Sequence, residues 1–415
     1  MKKITLNLLV VTLTLLSTSC GKQNIPDETE KRQQSNVQHP IELAAPIANA
    51  FTDFSFYFFK NLQTEQKTED NIFVSPLSLH IALGMLVNGA EATTKSEIMK
   101  ALKSDHLSQT ELNDAYKKLL NELPKADPLV KLALANAIFY KNDFNVEAPF
   151  LNTMKSSFNA QITGLPFVPD DLTTINKWAS DNTNGKIPKV LNQLDPALVM
   201  LLMNVLYFKG DWRSKFDKAN TTDQPFYLED GTQKTVKMMK NQKDTFRLAT
   251  GDNFSALQMP YGNGQFCATL LLPKEGKTIA SVLNELDAVK WSQLQSNFVT
   301  SKVEVGLPKF KLEQEFKLNN TLEKMGMVKA FYPAAELQGI NKTAPLKVDF
   351  VKQNTFAAVD EVGTEAAAVT TIGIEYTSVN PNPPQFICNR PFAFIISEKT
   401  SNTILFMGRL MNPQD

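Results

Sequence analysis

Ile47, Phe51, Phe54 and Phe58 recur three or four residues apart, the spacing of one face of an amphipathic helix. Ser75-Pro76 then offers an N-cap followed by proline at the first helical position, ahead of an apolar run over 77–87 that Asn88-Gly89 can end. Thr94 with Glu97 and Ser108 with Glu111 have capping-box spacing and predict two further helix starts. The pattern then changes. Long apolar runs over 132–140 and 199–208 read as buried strands, and 266–272 is the clearest of several candidates between 231 and 273. Residues 303–308 alternate, 318–328 look helical, and 386–397 and 403–407 read as closing strands. Helices first and strands later, with no internal repeat or linker beyond residue 40, predict an α+β fold in one large domain over 41–415.

The amino terminus is set apart. A basic start, Met1-Lys2-Lys3, precedes an apolar stretch over 4–16 that is short for a bilayer span and reads as an export signal. Ser17-Thr18-Ser19-Cys20-Gly21 at its end resembles a bacterial lipoprotein signal, with Cys20 as the acylated residue; an ordinary signal peptide is the alternative. Residues 21–40 are polar, with Gln, Glu, Lys and Asn recurring, and are expected to form a flexible tether. An exported protein, lipid-anchored to a bacterial membrane on the outer membrane or cell surface, follows as the expectation.

Composition removes several classes. The 415 residues carry 43 basic and 43 acidic side chains, and no Lys/Arg block marks a nucleic-acid partner. Three histidines, His39, His80 and His106, leave little for His-based catalysis or a metal site. Neither a cofactor nor a metal is expected. Glu275-Gly276-Lys277-Thr278 is similar to a phosphate loop, but Leu271 stands where that motif requires glycine. Cys267 and Cys388 lie in apolar strand-like runs and read as buried thiols, with a disulfide open to an exported protein.

The informative segment runs from about 361 to 385. It lacks helical periodicity, begins with a glycine among small residues, and ends in Pro381-Asn382-Pro383-Pro384. As a strand, it would present Thr364, Ala366, Ala368 and Thr370 on one face, all small and uncharged. A loop that must later enter a sheet needs such a face. Gly363 would be the pivot, since glycine tolerates the backbone change.

Glu361-Val362-Gly363-Thr364-Glu365-Ala366-Ala367-Ala368 closely resembles the reactive-centre-loop hinge of the serpin family. The resemblance extends over nearly all of 41–413. Asn71-Ile72-Phe73-Val74-Ser75-Pro76-Leu77-Ser78 looks like the serpin shutter helix. Ile175-Asn176-Lys177-Trp178 with Gly185-Lys186-Ile187-Pro188 is similar to the segment after helix F. The run over 204–212 resembles the strand bearing the shutter asparagine and the breach tryptophan. Leu307-Pro308-Lys309-Phe310, the run over 386–392 and that over 405–409 match later family strands.

The resemblance implies a serpin fold of three β-sheets and eight to nine helices, and a monomeric, non-enzymatic suicide inhibitor of serine or cysteine proteases. In that scheme the protease cuts the loop, is held as a covalent acyl complex, and is displaced as the loop inserts. The family's spacing from the hinge glycine puts the bait bond at Thr377–Ser378, or one residue earlier at Tyr376–Thr377. Such a bait suits an elastase-like or chymotrypsin-like target; no Lys or Arg lies between Gly363 and Arg390 to suit a trypsin-like one. Hinge residues are Glu361, Gly363, Thr364, Ala366, Ala367 and Ala368. Shutter and breach residues are Ser75, Ser78, Asn204, Gln353 and Trp212, with Gln353 where the family has histidine, and expected to link to Asn204 and Ser75. The other reading is a non-inhibitory serpin acting as a binding or carrier protein.

Overall fold

Helix α1 (Ala45–Gln63) forms where the phenylalanine ladder predicts it and buries Phe51, Phe54, Phe58 and Leu62. A short strand, β1 (Ile72–Val74), leads into α2 (Pro76–Val87), whose N-cap Ser75 accepts the Ser78 amide; apolar on nearly every side, α2 is buried in the core. Helix α3 (Ala92–Ala101) departs from expectation. Thr94 lies inside it, and the cap comes from Glu336, whose carboxylate accepts the Thr94 amide. Helix α4 (Gln109–Glu122) has the expected Ser108–Glu111 capping box.

The computed structural model describes residues 39–241, 244–364 and 383–414. Its remaining elements are β2 (Val130–Lys141), α5 (Ala148–Phe158), β3 (Gln161–Leu165), α6 (Asp171–Asn182), β4 (Met200–Asp211), β5 (Thr222–Tyr227) and β6 (Gln233–Asn241). There follow β7 (Thr245–Thr250), β8 (Phe254–Pro260), β9 (Phe266–Pro273), α7 (Ile279–Glu285), α8 (Ala288–Asn297), β10 (Val299–Lys302), β11 (Glu304–Pro308), β12 (Phe310–Lys317) and α9 (Asn319–Lys324). The chain closes with β13 (Lys352–Val359), β14 (Gly363–Thr364), β15 (Gln385–Ile387), β16 (Phe392–Glu398) and β17 (Ile404–Leu410).

Two expectations shift here. The helix over 318–328 stops at Lys324, because the chain turns at Gly326 with φ 97°. The strand over 386–397 is two strands in different sheets, β15 and β16, separated by Cys388-Asn389-Arg390-Pro391.

The described residues form nine α-helices and three sheets, an α+β fold. A seven-stranded sheet runs β1-β17-β16-β9-β8-β7-β10, and its middle strands β9, β16 and β17 are buried along their whole length. A four-stranded sheet runs β15-β11-β6-β5. The six-stranded sheet runs β12-β13-β14-β4-β2-β3, and β14 is two residues long between two long neighbours.

A hinge and a seam in the six-stranded sheet

β14 holds the residues that resemble the family's hinge, and it is paired on both sides. Thr364 stands opposite Val359 of β13 on one side and Gly210 of β4 on the other; Gly363 stands opposite Asp211. A tight turn delivers it: the Asp360 amide donates to Gly363 O (3.0 Å), and Asp360 Oδ1 accepts the amides of Val362 (2.8 Å) and Gly363 (3.3 Å). Gly363 is not in the left-handed region. Glycine is required for another reason: a Cβ there would lie 2.1 Å from Gly210 O and 2.7 Å from Asp211 Cα.

Trp212 holds this turn. Its indole Nε1 donates to Asp360 O (3.0 Å), its amide donates to Val362 O (2.7 Å), and its ring stacks on Tyr261 with centroids 4.5 Å apart. The Tyr261 hydroxyl meets Thr364 Oγ1 at 2.6 Å. Glu361 accepts from Thr221 Oγ1 (2.8 Å) and pairs with Lys309 Nζ (3.0 Å). Burial opposes its charge, but the hydrogen bonds from Lys309 and Thr221 outweigh it, so the carboxyl titrates below its ordinary value. Val362 is buried.

Farther along the sheet the other predicted residues gather around the N-terminus of α2. Gln353 donates to Ser75 O (2.8 Å) and accepts the Ser75 amide (3.0 Å); the Ser75 hydroxyl donates to Leu405 O (2.7 Å) and accepts the Ser78 amide (3.2 Å). The expected link from Gln353 to Asn204 is absent. Asn204 instead donates to Asn136 Oδ1 (2.7 Å) on the neighbouring strand, and Asn136 donates to Phe158 O. Asn204 Oδ1 is buried with no hydrogen-bond partner among the described residues.

The two long strands flanking β14 define a seam. β4 is paired along its length to β2, and β13 to β12. On their facing edges, the pairing among the described residues is confined to Gly363 and Thr364. Six residues below Gly210 stands Asn204, and six below Val359 stands Gln353, so both lie on one lateral row. Asn136 is the Asn204 partner on β2 and continues the row.

Cys267 and Cys388 are free and buried, which removes the disulfide alternative; burial pushes the Cys267 thiol up to about 12 and the Cys388 thiol up as well. Cys20, Ala366, Ala367, Ala368, Tyr376, Thr377 and Ser378 lie outside the described residues. Ile175, Asn176, Lys177 and Trp178 lie on α6 itself, and Gly185-Lys186-Ile187-Pro188 follow it. Sequence reasoning did not find Tyr261, Asp360, Thr221, Lys309 or Asn136. Pro260-Tyr261-Gly262-Asn263-Gly264 announces a turn, but nothing in it announces a hydroxyl against the hinge.

The six-stranded sheet thus seats a two-residue strand, β14, between two long neighbours, in an α+β fold of three sheets. The family model for serpins (serine protease inhibitors) matches residues 49–413, and the chain belongs to that family. The leukocyte elastase inhibitor of Xenopus laevis is 34% identical over 379 residues, covering 88% of this chain and 99% of that protein. The crystal structure of the thermophilic serpin tengpin in its native state has a TM-score of 0.82 at 31% identity, covering 89% of this chain and 95% of that one. Human thyroxine-binding globulin complexed with thyroxine has a TM-score of 0.81 at 27% identity, covering 89% of this chain and 99% of that one.

Proposed function

We propose that this protein is a suicide-substrate inhibitor of serine, and by extension cysteine, endopeptidases with elastase-like or chymotrypsin-like pockets. One observation carries the reading: Thr364 is already in register between β4 and β13. Extending that register by six residues brings Thr370 between Asn204 and Gln353, on the same side as Thr364. The small, uncharged face of Thr364, Ala366, Ala368 and Thr370 then turns toward the core, where Thr364 already points at Tyr261. The Thr370 hydroxyl would meet the row on which Asn204 Oδ1 lacks a donor. Glu365 would then turn outward.

The protease supplies the nucleophile. It attacks the bait bond at Thr377–Ser378, or Tyr376–Thr377, and forms an acyl-enzyme. Insertion of the released loop then displaces the acyl-enzyme before water cleaves it, which makes inhibition a kinetic partition. Mixing the protein with elastase, chymotrypsin, trypsin and a papain-like protease tests this. A band at the summed mass that survives denaturation, with release of a peptide beginning at Ser378, supports it. Thr364→Arg should then convert trapping to simple cleavage. Cleavage without a trapped band for every protease would give first place to the carrier reading, the one the thyroxine-binding relative brings to mind.

The same proposal takes residues 1–20 as a lipoprotein signal, Cys20 as the acylated residue, and 21–40 as a tether holding a monomeric inhibitor off a bacterial surface. Membrane fractionation of Cys20→Ala cells checks this; an unchanged membrane fraction sinks the anchor.

A further inference from the structure

Tyr261 is fully buried on the turn between β8 and β9, in a different sheet from the hinge. That turn is braced against the end of β4. Tyr261 and Trp212 form a β-bridge, and the Gly262 amide donates to Asp211 O (3.0 Å). The Asn263 amide donates to Asp127 Oδ2 (2.8 Å), and the Tyr261 amide to Phe266 O (2.9 Å). The phenol is therefore a fixed point. Packing also fixes its ring, between Trp212 at 4.5 Å and Phe208 at 5.0 Å. A buried phenol needs a partner for its hydroxyl, and Thr364 is the one it has, at 2.6 Å. Up to Gly363 the hinge is held by backbone and by Trp212, Lys309 and Thr221. Thr364 is the first residue of the segment whose side chain enters the seam.

We propose that the Tyr261 hydroxyl is a latch that keeps Thr364 on the first rung of the seam and so sets how fast the cut loop enters the sheet; this rests on the strand-insertion reading above. Insertion that begins from a registered rung competes well with hydrolysis of the acyl-enzyme. Insertion that must first find register competes poorly. Tyr261 is thus a positioning residue. It acts through Thr364 and touches no part of the protease.

The test is a double-mutant cycle with Tyr261→Phe and Thr364→Val, both close to the native shapes, with Thr364→Ser as the conservative rescue. Two readouts are taken: the ratio of trapped to cleaved inhibitor with an elastase-like protease, and hydrogen exchange of the 359–364 segment in the uncut protein. Loss of one hydrogen bond predicts about a tenfold fall in the trapped-to-cleaved ratio for Tyr261→Phe. The initial rate of loop attack should be unchanged, and amide protection at 363–364 should fall. Thr364→Ser should keep most of both. The double variant should be no worse than either single one. Additive effects in the cycle, or unaltered protection at 363–364, overturn the latch. The exchange arm reads the uncut protein, so it decides the latch even if the wild-type protein traps no protease and the inhibitor reading itself fails.

Discussion

Gly363→Ala tests the hinge at its tightest point. The added methyl would sit 2.1 Å from Gly210 O and 2.7 Å from Asp211 Cα, both backbone atoms of β4. β4 cannot retreat, because its other edge is laddered to β2 from Met200 to Gly210. Relief must come from β14 leaving its place. Undocking loses the backbone pairing of Gly363 and Thr364, at about 1 kcal/mol per hydrogen bond, and leaves the buried Tyr261 hydroxyl unpaired, at about 1–3 kcal/mol. The sum is about 3 kcal/mol, or about a hundredfold in the docked population. The assay is the number of inhibitor molecules consumed per protease trapped, with hydrogen exchange of the hinge turn as a direct reading of docking. The substitution should raise consumption at least about tenfold and expose the Gly363 and Thr364 amides. Were glycine needed there only as a pivot, alanine would be tolerated, since the backbone is outside the left-handed region. Unchanged docking and trapping in Gly363→Ala would therefore refute the steric argument.

Other sites give independent checks. His80 is wholly buried, with Nδ1 2.7 Å from the Tyr116 hydroxyl, and burial lowers its pKa from 6.5 to about 3 despite the Leu102 carbonyl. Its folded pKa is depressed, so the associated stability is complete above pH 6.5 and is lost as pH falls toward 3. By pH 5 the loss is about 2 kcal/mol, to be seen as a lower urea midpoint at fixed scan rate that His80→Gln largely removes. Gln353→Leu leaves the buried Ser75 amide without its acceptor, while Ser75 O keeps the Leu79 amide. About 1–3 kcal/mol of native stability should go, read from the same midpoint. Cys267 and Cys388, buried with raised thiol pKa values, should resist alkylation at neutral pH in the native protein and react fully in denaturant.

Features whose cause is local were legible in the sequence. Ser75 and Ser108 cap the helices they predict, since a cap acts within one turn. The buried strands β2, β4 and β9 declare themselves as apolar runs. What failed was supplied from a distance. Thr94 looks like a cap, but Glu336 does the capping and reaches α3 from the far end of the chain. The run over 386–397 reads as one strand because periodicity does not say which sheet a strand joins. In the candidate site, Gly363, Thr364 and Trp212 were found by motif, yet the reason for the glycine was not: it lies in the carbonyl of Gly210. The residues around Tyr261 announce only a turn, and it is the folding of that turn onto another sheet's edge that gives its hydroxyl a role.

The seam also carries a prediction about energy. At its upper end the polar groups around the hinge are met: Asp360, Glu361, Thr364 and Trp212 all have partners. At the level of Asn204 the accounting fails, with one buried acceptor unmet among the described residues. Along β4 from 200 to 209 and β13 from 352 to 358, no described strand completes the facing edges. A strand that filled them would add on the order of ten backbone hydrogen bonds, each contributing about 1 kcal/mol. On the strand-insertion reading, the uncut loop would hold the native fold short of that more stable arrangement. Cutting the loop within 365–382, with any protease that the protein does not trap, should therefore raise its resistance to heat and urea. The gain should be on the order of 10 kcal/mol, with the two fragments remaining associated. Thr370→Val should retain most of that gain and forfeit only the part due to the Asn204 row, about 1–3 kcal/mol. A cleaved protein that melts where the intact one does would mean that the seam accepts no strand, and that the docked hinge is simply a short edge of the sheet.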